Sequence, residues 1–459
     1  MKRTLVFLLT TCLLVTTGYA QGQQTIFNVL DYGAKGDGTT LDSPAFQKAI
    51  DAASNANTGA QVLVPSGKKY LLGTILLKSN IDFHLEGNAE LLISTNKNNF
   101  IEDALILAKG ANKLKISGTG VINGRDMEFY THYDSTDEWY INKEWRPKLF
   151  ILTRCTNLEI KDITFGWAPF WGLHLLGCEN VVINNLKVRN NLQVPNCDGI
   201  DPDHCRNVTI TNCHIVSGDD CIVVKATRQS EDYGPSANIK VSDCVLETQD
   251  SGVKIGTETT QDIHDITFER CKIITSSRGI CIQLRDEGNV YNVLFKDIDF
   301  VSRYYSAPWW GRGEGISLTA IPRTAETKLG RIHDVTIKNV KGFSENSIRI
   351  NGTKESRISD IKLDNVDITM VKNSKYSGEV YDNRPTKVYT PLEKHKTAGF
   401  FIRYADNVLL KNCKVWWSSL SPSYFSHALE AEFSTGIRYE NLKGQSAFPS
   451  QIETVLIKK

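Results

Sequence analysis

Neither sign of charge dominates this chain of 459 residues: 53 Lys and Arg face 52 Asp and Glu, for a formal net charge of +1. That balance excludes bulk electrostatic attraction to nucleic acid or to an anionic membrane, although a local group of basic residues could still hold an acidic ligand. Long hydrophobic runs are missing too, apart from Leu5 to Val15. That run follows Lys2 and Arg3 and precedes Gly18-Tyr19-Ala20, which reads as a cleavable secretory signal peptide over residues 1–20, too short for a comfortable membrane span. No small residue directly precedes Cys12, which argues against a lipoprotein. Residues 21–459 are then expected as one exported domain, a monomer, with no membrane insertion and no nucleic-acid partner.

What the chain does have is repetition. Cys155-Thr-Asn-Leu-Glu-Ile-Lys-Asp-Ile163 returns as Cys178 to Leu186 and Cys205 to Cys213. The same frame starts again at Ser236, Ile263, Val290, Ile332, Ile358 and Ala405. Apolar residues fill its fourth, sixth and ninth positions, and Asn or Asp fills most third and eighth ones. The alternation has period two, so the frame is β and not helical. A spacing mostly near ~27 residues, with Asn, Asp and Gly turns between short strands, is a solenoid signature. Stacked in parallel at ~4.8 Å, the coils predict an all-β fold, a single-stranded right-handed parallel β-helix. Two longer gaps predict loop insertions at about residues 302–330 and 371–398. The opening differs: Phe46, Ala49, Ile50 and Ala53 recur at helical spacing, which predicts a short amphipathic helix over Asp42–Ala53 capping the open end of the solenoid.

Ten cysteines follow the signal peptide. The ninth frame position exchanges Ile, Leu and Val with Cys213, Cys244, Cys271 and Cys413. That predicts interior thiols behaving as small hydrophobes, even though export would permit disulfides. Cys221 could pair with a neighbouring coil, but no partner is readable.

The chemistry-bearing feature is a group of aspartates on consecutive repeats: Asn196-Cys-Asp198-Gly-Ile-Asp201, then Gly218-Asp219-Asp220-Cys221. Like charges a few ångströms apart raise one another's pKa, as a general acid at neutral pH requires. Counted from the ninth frame position, His174, Asp198, Asp219/Asp220, Lys254 and Gln283, with Arg285 nearby, fall at similar offsets and should line one sheet face. Plainer readings stand beside this one: a turn for Asp201, a solvated face for Lys254 and Arg285, a hydrogen-bonded structural role for His174. Trp167, Phe170, Trp171 and the loop Trp309-Trp310-Gly-Arg312-Gly-Glu314 offer flat rings for sugar stacking, with core packing as the alternative.

These residues resemble the polygalacturonase-type glycoside hydrolases of family 28, whose members share the pectin lyase-like solenoid. The resemblance rests on Phe27 to Ala53, Gly118 to Gly124, Arg146-Pro147, Trp171 to Ile183 and, above all, Asn196-Cys-Asp198-Gly with Gly218-Asp-Asp220-Cys. It implies a polysaccharide or oligosaccharide substrate, no cofactor and no metal. Asp219 would be the general acid, and Asp198 and Asp220 the pair that activates water. Anomeric configuration would be inverted, with carboxyl groups ~6.5–9.5 Å apart. Candidate substrate contacts are Asn196, His174, Asp201, Lys254, Gln283, Arg285, Trp310 and Arg312. Two motifs depart from the family: Asp250-Ser251-Gly252 stands where Gly-His-Gly is usual, and Cys281-Ile282-Gln283 where Arg-Ile-Lys is usual. The usual clamp for a galacturonate carboxylate is therefore missing, and Lys254, Arg278, Arg285 and Arg312 are the candidates to replace it. The competing readings are a Ca²⁺-dependent β-helix polysaccharide lyase with Lys254 or an Arg as base, and a non-catalytic carbohydrate-binding β-helix.

Overall fold

The computed structural model describes residues 25–56, 59–383 and 386–458; the expected signal peptide lies outside the described residues. The middle coils hold three short strands each, and further along the first two merge into single strands such as Val290–Ser302 and Ile332–Ser344. Glu179–Asn184, Lys187–Arg189 and Ile200–Asp203 form one coil, and Arg206–Thr211, His214–Ser217 and Ile222–Ala226 the next. Equivalent strands pair in parallel, with Val181 opposite Val208, Val188 opposite Ile215 and Ile200 opposite Ile222. The fold is the expected right-handed parallel β-helix.

The frame explains the coil's corners. Its third and eighth positions in all nine repeats, from Asn157 and Asp162 to Asn407 and Asn412, sit in the left-handed region, with φ between 52° and 65°. Asn and Asp tolerate that conformation because their short polar side chains bond locally. The side chains also stack: Asn207 donates to Asn180 at 3.0 Å, and Asn238 donates to Asn207 at 2.7 Å. Arg270 is the one eighth-position residue that is neither Asn nor Asp, and its guanidinium is tied to Asp243 at 2.8 and 2.9 Å. The ninth position points inward, and Ile163, Leu186, Cys213, Cys244 and Cys271 are each at most 3% exposed. All ten described cysteines are buried free thiols, Cys221 included.

The amino-terminal cap is the helix α1 (Ser43–Asn55), which buries Ala45, Phe46, Ala49, Ile50 and Ala53 against the first coils. Asp42, just before it, accepts the N–H groups of Lys35 at 2.7 Å and Gly36 at 3.0 Å, fixing the opening turn to the helix start.

One face of the solenoid is a continuous parallel sheet of thirteen strands, from Ile75–Leu77 to Val455–Lys458. Three insertions rise over its middle. Two are the expected ones, the second containing an antiparallel pair, Val380–Asp382 with Leu392–Lys394. The third was not anticipated: Tyr130–Asp134 pairs antiparallel with Trp139–Asn142. Its Trp139 ring meets those of Trp309 at 5.5 Å and Trp310 at 6.1 Å, and Lys375 reaches Glu138 at 2.5 Å, so the three insertions brace one another.

Candidate active site

The cleft lies where coils carrying Asp198, Asp219/Asp220 and Lys254 pass beneath this wall. It is a cavity of about 240 Å³, lined among others by Trp171, Asn196, Asp198, Asp219, Asp220 and Trp310. Asp198 and Asp220 stand just ahead of their strands. The Gly199 N–H donates to the Asp220 carbonyl at 2.9 Å, and Cys221 N–H to Ser251 O at 3.0 Å, so Asp198, Asp220 and Ser251 stack coil upon coil. Gly199 is required here, since a Cβ would lie 2.3 Å from the Cys221 carbonyl oxygen. One carboxylate oxygen from each of Asp198, Asp219 and Asp220 lies within 4.8 Å of the other two.

The three acids are held differently. Lys225 Nζ donates to Asp198 Oδ2 at 3.2 Å and stands 3.6 Å from Asp201. Lys254 Nζ donates to Asp220 Oδ2 at 2.8 Å and stands 3.7 Å from Asp250. Asp219 has no ammonium contact; it accepts the Asn196 N–H at 3.1 Å, the Asn196 amide at 3.4 Å and the Asp220 N–H at 2.9 Å. Arg146 orients that amide by donating to Asn196 Oδ1 at 3.2 Å. Burial, then the charges of Asp198 and Asp220, push the Asp219 carboxyl up to about 7. Burial and Asp201 raise Asp198 well above the carboxylate range, with Lys225 opposing. Burial raises Asp220 too, against the pull of Lys254. Burial works against the Lys254 ammonium, yet Asp220 and Asp250 outweigh it and keep it charged. The outer oxygens Asp198 Oδ1 and Asp220 Oδ1 are buried without a hydrogen-bond partner, which is expensive unless something in the cleft satisfies them.

Of the candidate catalytic and substrate-binding residues, Asn196, Asp198, Asp219, Asp220, Lys254, Gln283 and Trp310 line this cavity. The common register holds only in part. His174 pairs with Asp201, and that column continues through Val223 to Lys254 and Cys281, whereas Asp198 and Asp220 stand three residues before it and Gln283 two residues after it. His174 lies behind the cleft, its Nε2 against Asp203 at 3.0 Å and its Nδ1 against Lys148 at 3.2 Å, with burial depressing its pKa. Asp201 is fully buried behind Asp198, not in a solvated turn. Arg312 is caged within its own loop, donating to the Trp309 and Ala307 carbonyls at 3.1 and 3.3 Å and lying over Tyr304. Trp309 is fully buried, leaving Trp310 as the ring that reaches the cleft. Arg285 does not line the cavity.

Sequence reasoning missed Lys225, Asp250, Glu258 and Arg323, all of which line it. Lys225 was discoverable: it is the one charge in the otherwise apolar strand Ile222–Ala226, every residue of which is buried. Its Nζ lies 4.2 Å from the centre of the Trp171 ring, with Lys148 Nζ at 3.9 Å, so the indole fixes both ammonium groups. The three aspartates could in geometry hold a cation. Lys225 and Lys254 already occupy the counter-ion positions, however, and a divalent ion would face both ammonium groups at close range.

The family model described as glycosyl hydrolases family 28 matches residues 55–386, most of the chain, and the chain belongs to that family. A probable polygalacturonase of Vitis vinifera is 29% identical over 283 residues, 56% of this chain and 56% of that protein. Polygalacturonase-2 of Solanum lycopersicum is 25% identical over 344 residues, 71% of this chain and 70% of that one. The match thus spans little more than half the length of the grape relative. Among solved structures, the family 28 exopolygalacturonase of Yersinia enterocolitica superposes with a TM-score of 0.68 at 19% identity, covering 92% of this chain and 78% of that one. An exopolygalacturonase of Thermotoga maritima gives 0.62 at 22% identity, covering 76% and 88%. At those identities the likeness shows the fold.

Proposed function

We propose that this protein is a secreted, inverting hydrolase of a pectin-like glycan, with Asp219 as general acid and Asp198 and Asp220 as the pair that activates water. The observation that carries the reading is the unequal treatment of three grouped carboxyls. Asp198 and Asp220 each have an ammonium partner, whereas Asp219 has only N–H donors and a pKa pushed up to about 7. All three carboxyls are raised, but Asp219 alone lacks an ammonium to hold it ionised, so it is the one to give its proton to the glycosidic oxygen as the C–O bond breaks. A single water with hydrogen bonds of ~2.8 Å bridges oxygens ~5 Å apart; Asp198 and Asp220 offer oxygens within 4.8 Å of each other, and each carboxyl also has an unpartnered oxygen. That water attacks the anomeric carbon from the far side and passes its proton to Asp220, whose charge Lys254 preserves. The carboxyl spacing is tighter than the ~6.5–9.5 Å usual for inversion, so stereochemistry is the sharp test of this mechanism.

Substrate preference follows from charge. Every cation lining the cleft is already matched: Lys225 and Lys254 as above, Arg278 by Asp382 at 2.9 Å, Arg323 by Glu258 at 3.3 Å. Beside the acid there is no spare clamp for a uronate, which agrees with the altered motifs at Ser251 and Gln283. Unsubstituted polygalacturonan is therefore expected to be a poor substrate.

The test is to screen pectin and rhamnogalacturonan oligosaccharides, then follow the best substrate by NMR through the first turnovers. The first-formed reducing end should carry the opposite anomeric configuration, and retention would sink the inverting mechanism. Asp219→Asn should lower kcat by about 10²–10⁴-fold with an unchanged circular dichroism spectrum; more than about a tenth of the activity remaining would remove Asp219 as the acid.

A further inference from the structure

The search for a relocated clamp ends at one side chain. Arg285 is 3% exposed, and its Nε and Nη2 are buried with no hydrogen-bond partner. No carboxylate of the described residues comes within ion-pair distance, and the neighbouring acids are already engaged. Asp382 holds Arg278 at 2.9 Å and the Gly311 N–H at 3.0 Å. Asp286 accepts the Thr259 N–H at 2.9 Å and lies 3.4 Å from Arg323. Glu258 lies 3.3 Å from Arg323 and 3.8 Å from Lys225. Burial and then the Arg323 charge lower the pKa of Arg285 to about 10, so its surroundings favour loss of positive charge. A desolvated guanidinium left without its anion costs stability, and folded proteins rarely keep one unless a ligand completes it.

Its place in the fold says which ligand. Arg285 follows the strand Arg278–Leu284 two residues beyond Gln283, on the same side of the sheet by the period-two rule. Gln283, Glu258 and Arg323 line the cleft, and Arg323 is the neighbour whose charge bears most on Arg285. We infer that Arg285, with Arg323 beside it, is a displaced anion clamp that takes the carboxylate of a uronic acid in the glycan, away from the scissile bond. This rests on the hydrolase reading and extends it: the sugar at the acid is uncharged, and the charged sugar lies at the Gln283–Arg285 end. A planar guanidinium suits a carboxylate through two parallel N–H···O bonds. A polymer with a carboxylate on every sugar would also press one against Asp198, Asp219 and Asp220, where no cation is spare.

Binding tests this without turnover. Full-length Asp219→Asn protein is titrated calorimetrically with oligosaccharides of alternating galacturonate and rhamnose, with trigalacturonate, and with the methyl esters of both. The alternating acid should bind at least about tenfold more tightly than its ester. In the added Arg285→Gln background that preference should collapse, while the melting temperature in the absence of sugar stays level or rises, because an unpaired buried charge has been removed. A structural role predicts the opposite, a lower melting temperature. Should Arg285→Gln fold poorly, Arg323→Gln, whose side chain is about a third exposed, should reduce the same preference. Equal binding of acid and ester by the Arg285-containing protein overturns the clamp whatever the variants do. Absence of hydrolysis by the unaltered enzyme would instead sink the hydrolase reading and leave this result standing.

Discussion

Two columns of the same solenoid obey opposite rules. Along the corner, Asn157, Asn180, Asn207 and Asn238 repeat one residue on four successive coils, and each amide is satisfied by the coil before it. Along the cleft, the stacked positions read Asp198, Asp220, Ser251 and Arg278, so identity lasts two coils and then breaks. Identical side chains stacked at ~4.8 Å serve a ladder whose members both donate and accept, as amides do. Stacked carboxylates cannot satisfy one another; each needs a cation, a proton or a ligand. The corner is exposed, so each of its bonds contributes little. The cleft is buried, so each of its charges is worth far more and is supplied by hand, Lys225 to Asp198 and Lys254 to Asp220. Repetition marks what the coil needs to stack, and broken repetition marks what the molecule does.

The largest way to break the comparison is by pH. Asp219, pushed up to about 7, must be protonated to act, so kcat/KM should fall about tenfold per pH unit above that value. Stability carries the same sign. Asp219 binds a proton in the folded state at pH values where the unfolded carboxyl has lost it, so its contribution to stability declines as pH rises from 3.8 towards 7. The solenoid wall runs the other way. Asp406, lowered to about 2 chiefly by its hydrogen bond from Arg357, stabilises above its unfolded pKa and loses that contribution as pH falls. Thermal melts between pH 4 and 8 should show a shallower decline with pH in Asp219→Asn, which removes one of the raised carboxyls. An alkaline limb of activity unmoved from that of an ordinary carboxylate would mean the cleft does not tune its acid.

A smaller effect sharpens the same contrast. Lys254→Met leaves Asp220 buried without its partner at 2.8 Å, and losing one half of a buried pair costs about 3–5 kcal/mol. Both the melting temperature and kcat should fall, since Asp220 would then take up a proton and cease to be a base. Silent kinetics in a stably folded variant would return Lys254 to the plain reading of a structural strand residue.

Legibility followed the same division. The nine-residue frame showed the β-helix, its inward cysteines and its Asn corners, because those features repeat and stacking enforces them. Grouped Asp198, Asp219 and Asp220 were visible because they lie in two short motifs. The shared register held for His174 and Lys254 but not throughout, and for one coil the reason is countable. The turn from Leu186 to Ile200 is five residues longer than that from Cys213 to Ile222, and the extra residues carry Asn196 to its contact with Asp219. Offsets from the frame therefore do not transfer to that coil, although the turns from Cys213 to Ile222, Cys244 to Val253 and Cys271 to Ile280 keep one length. Arg323 stayed hidden because its role depends on an insertion, which is not periodic, whereas Lys225 left a signal as the lone charge of a buried apolar strand. The spare charge of Arg285 is visible only once every other cation has found its partner.

The smallest prediction concerns the corner itself. Asn207 is exposed, has φ near 56°, donates to Asn180 at 3.0 Å and accepts from Asn238 at 2.7 Å. Asn207→Ala removes both bonds and leaves a Cβ residue in the left-handed region; Asn207→Gly removes the same bonds but is at ease there. If the ladder holds the corner, both variants should lose stability by about 0.5–1.5 kcal/mol for exposed amide bonds. If the backbone conformation matters more, Asn207→Ala alone should be destabilised, by roughly 1–2 kcal/mol, with Asn207→Gly close to the parent. Urea unfolding separates the two cases. Neither variant should alter kcat or KM, because one corner amide among many identical ones carries stacking and no chemistry; a kinetic effect at Asn207 would break the division between repeated and unrepeated columns.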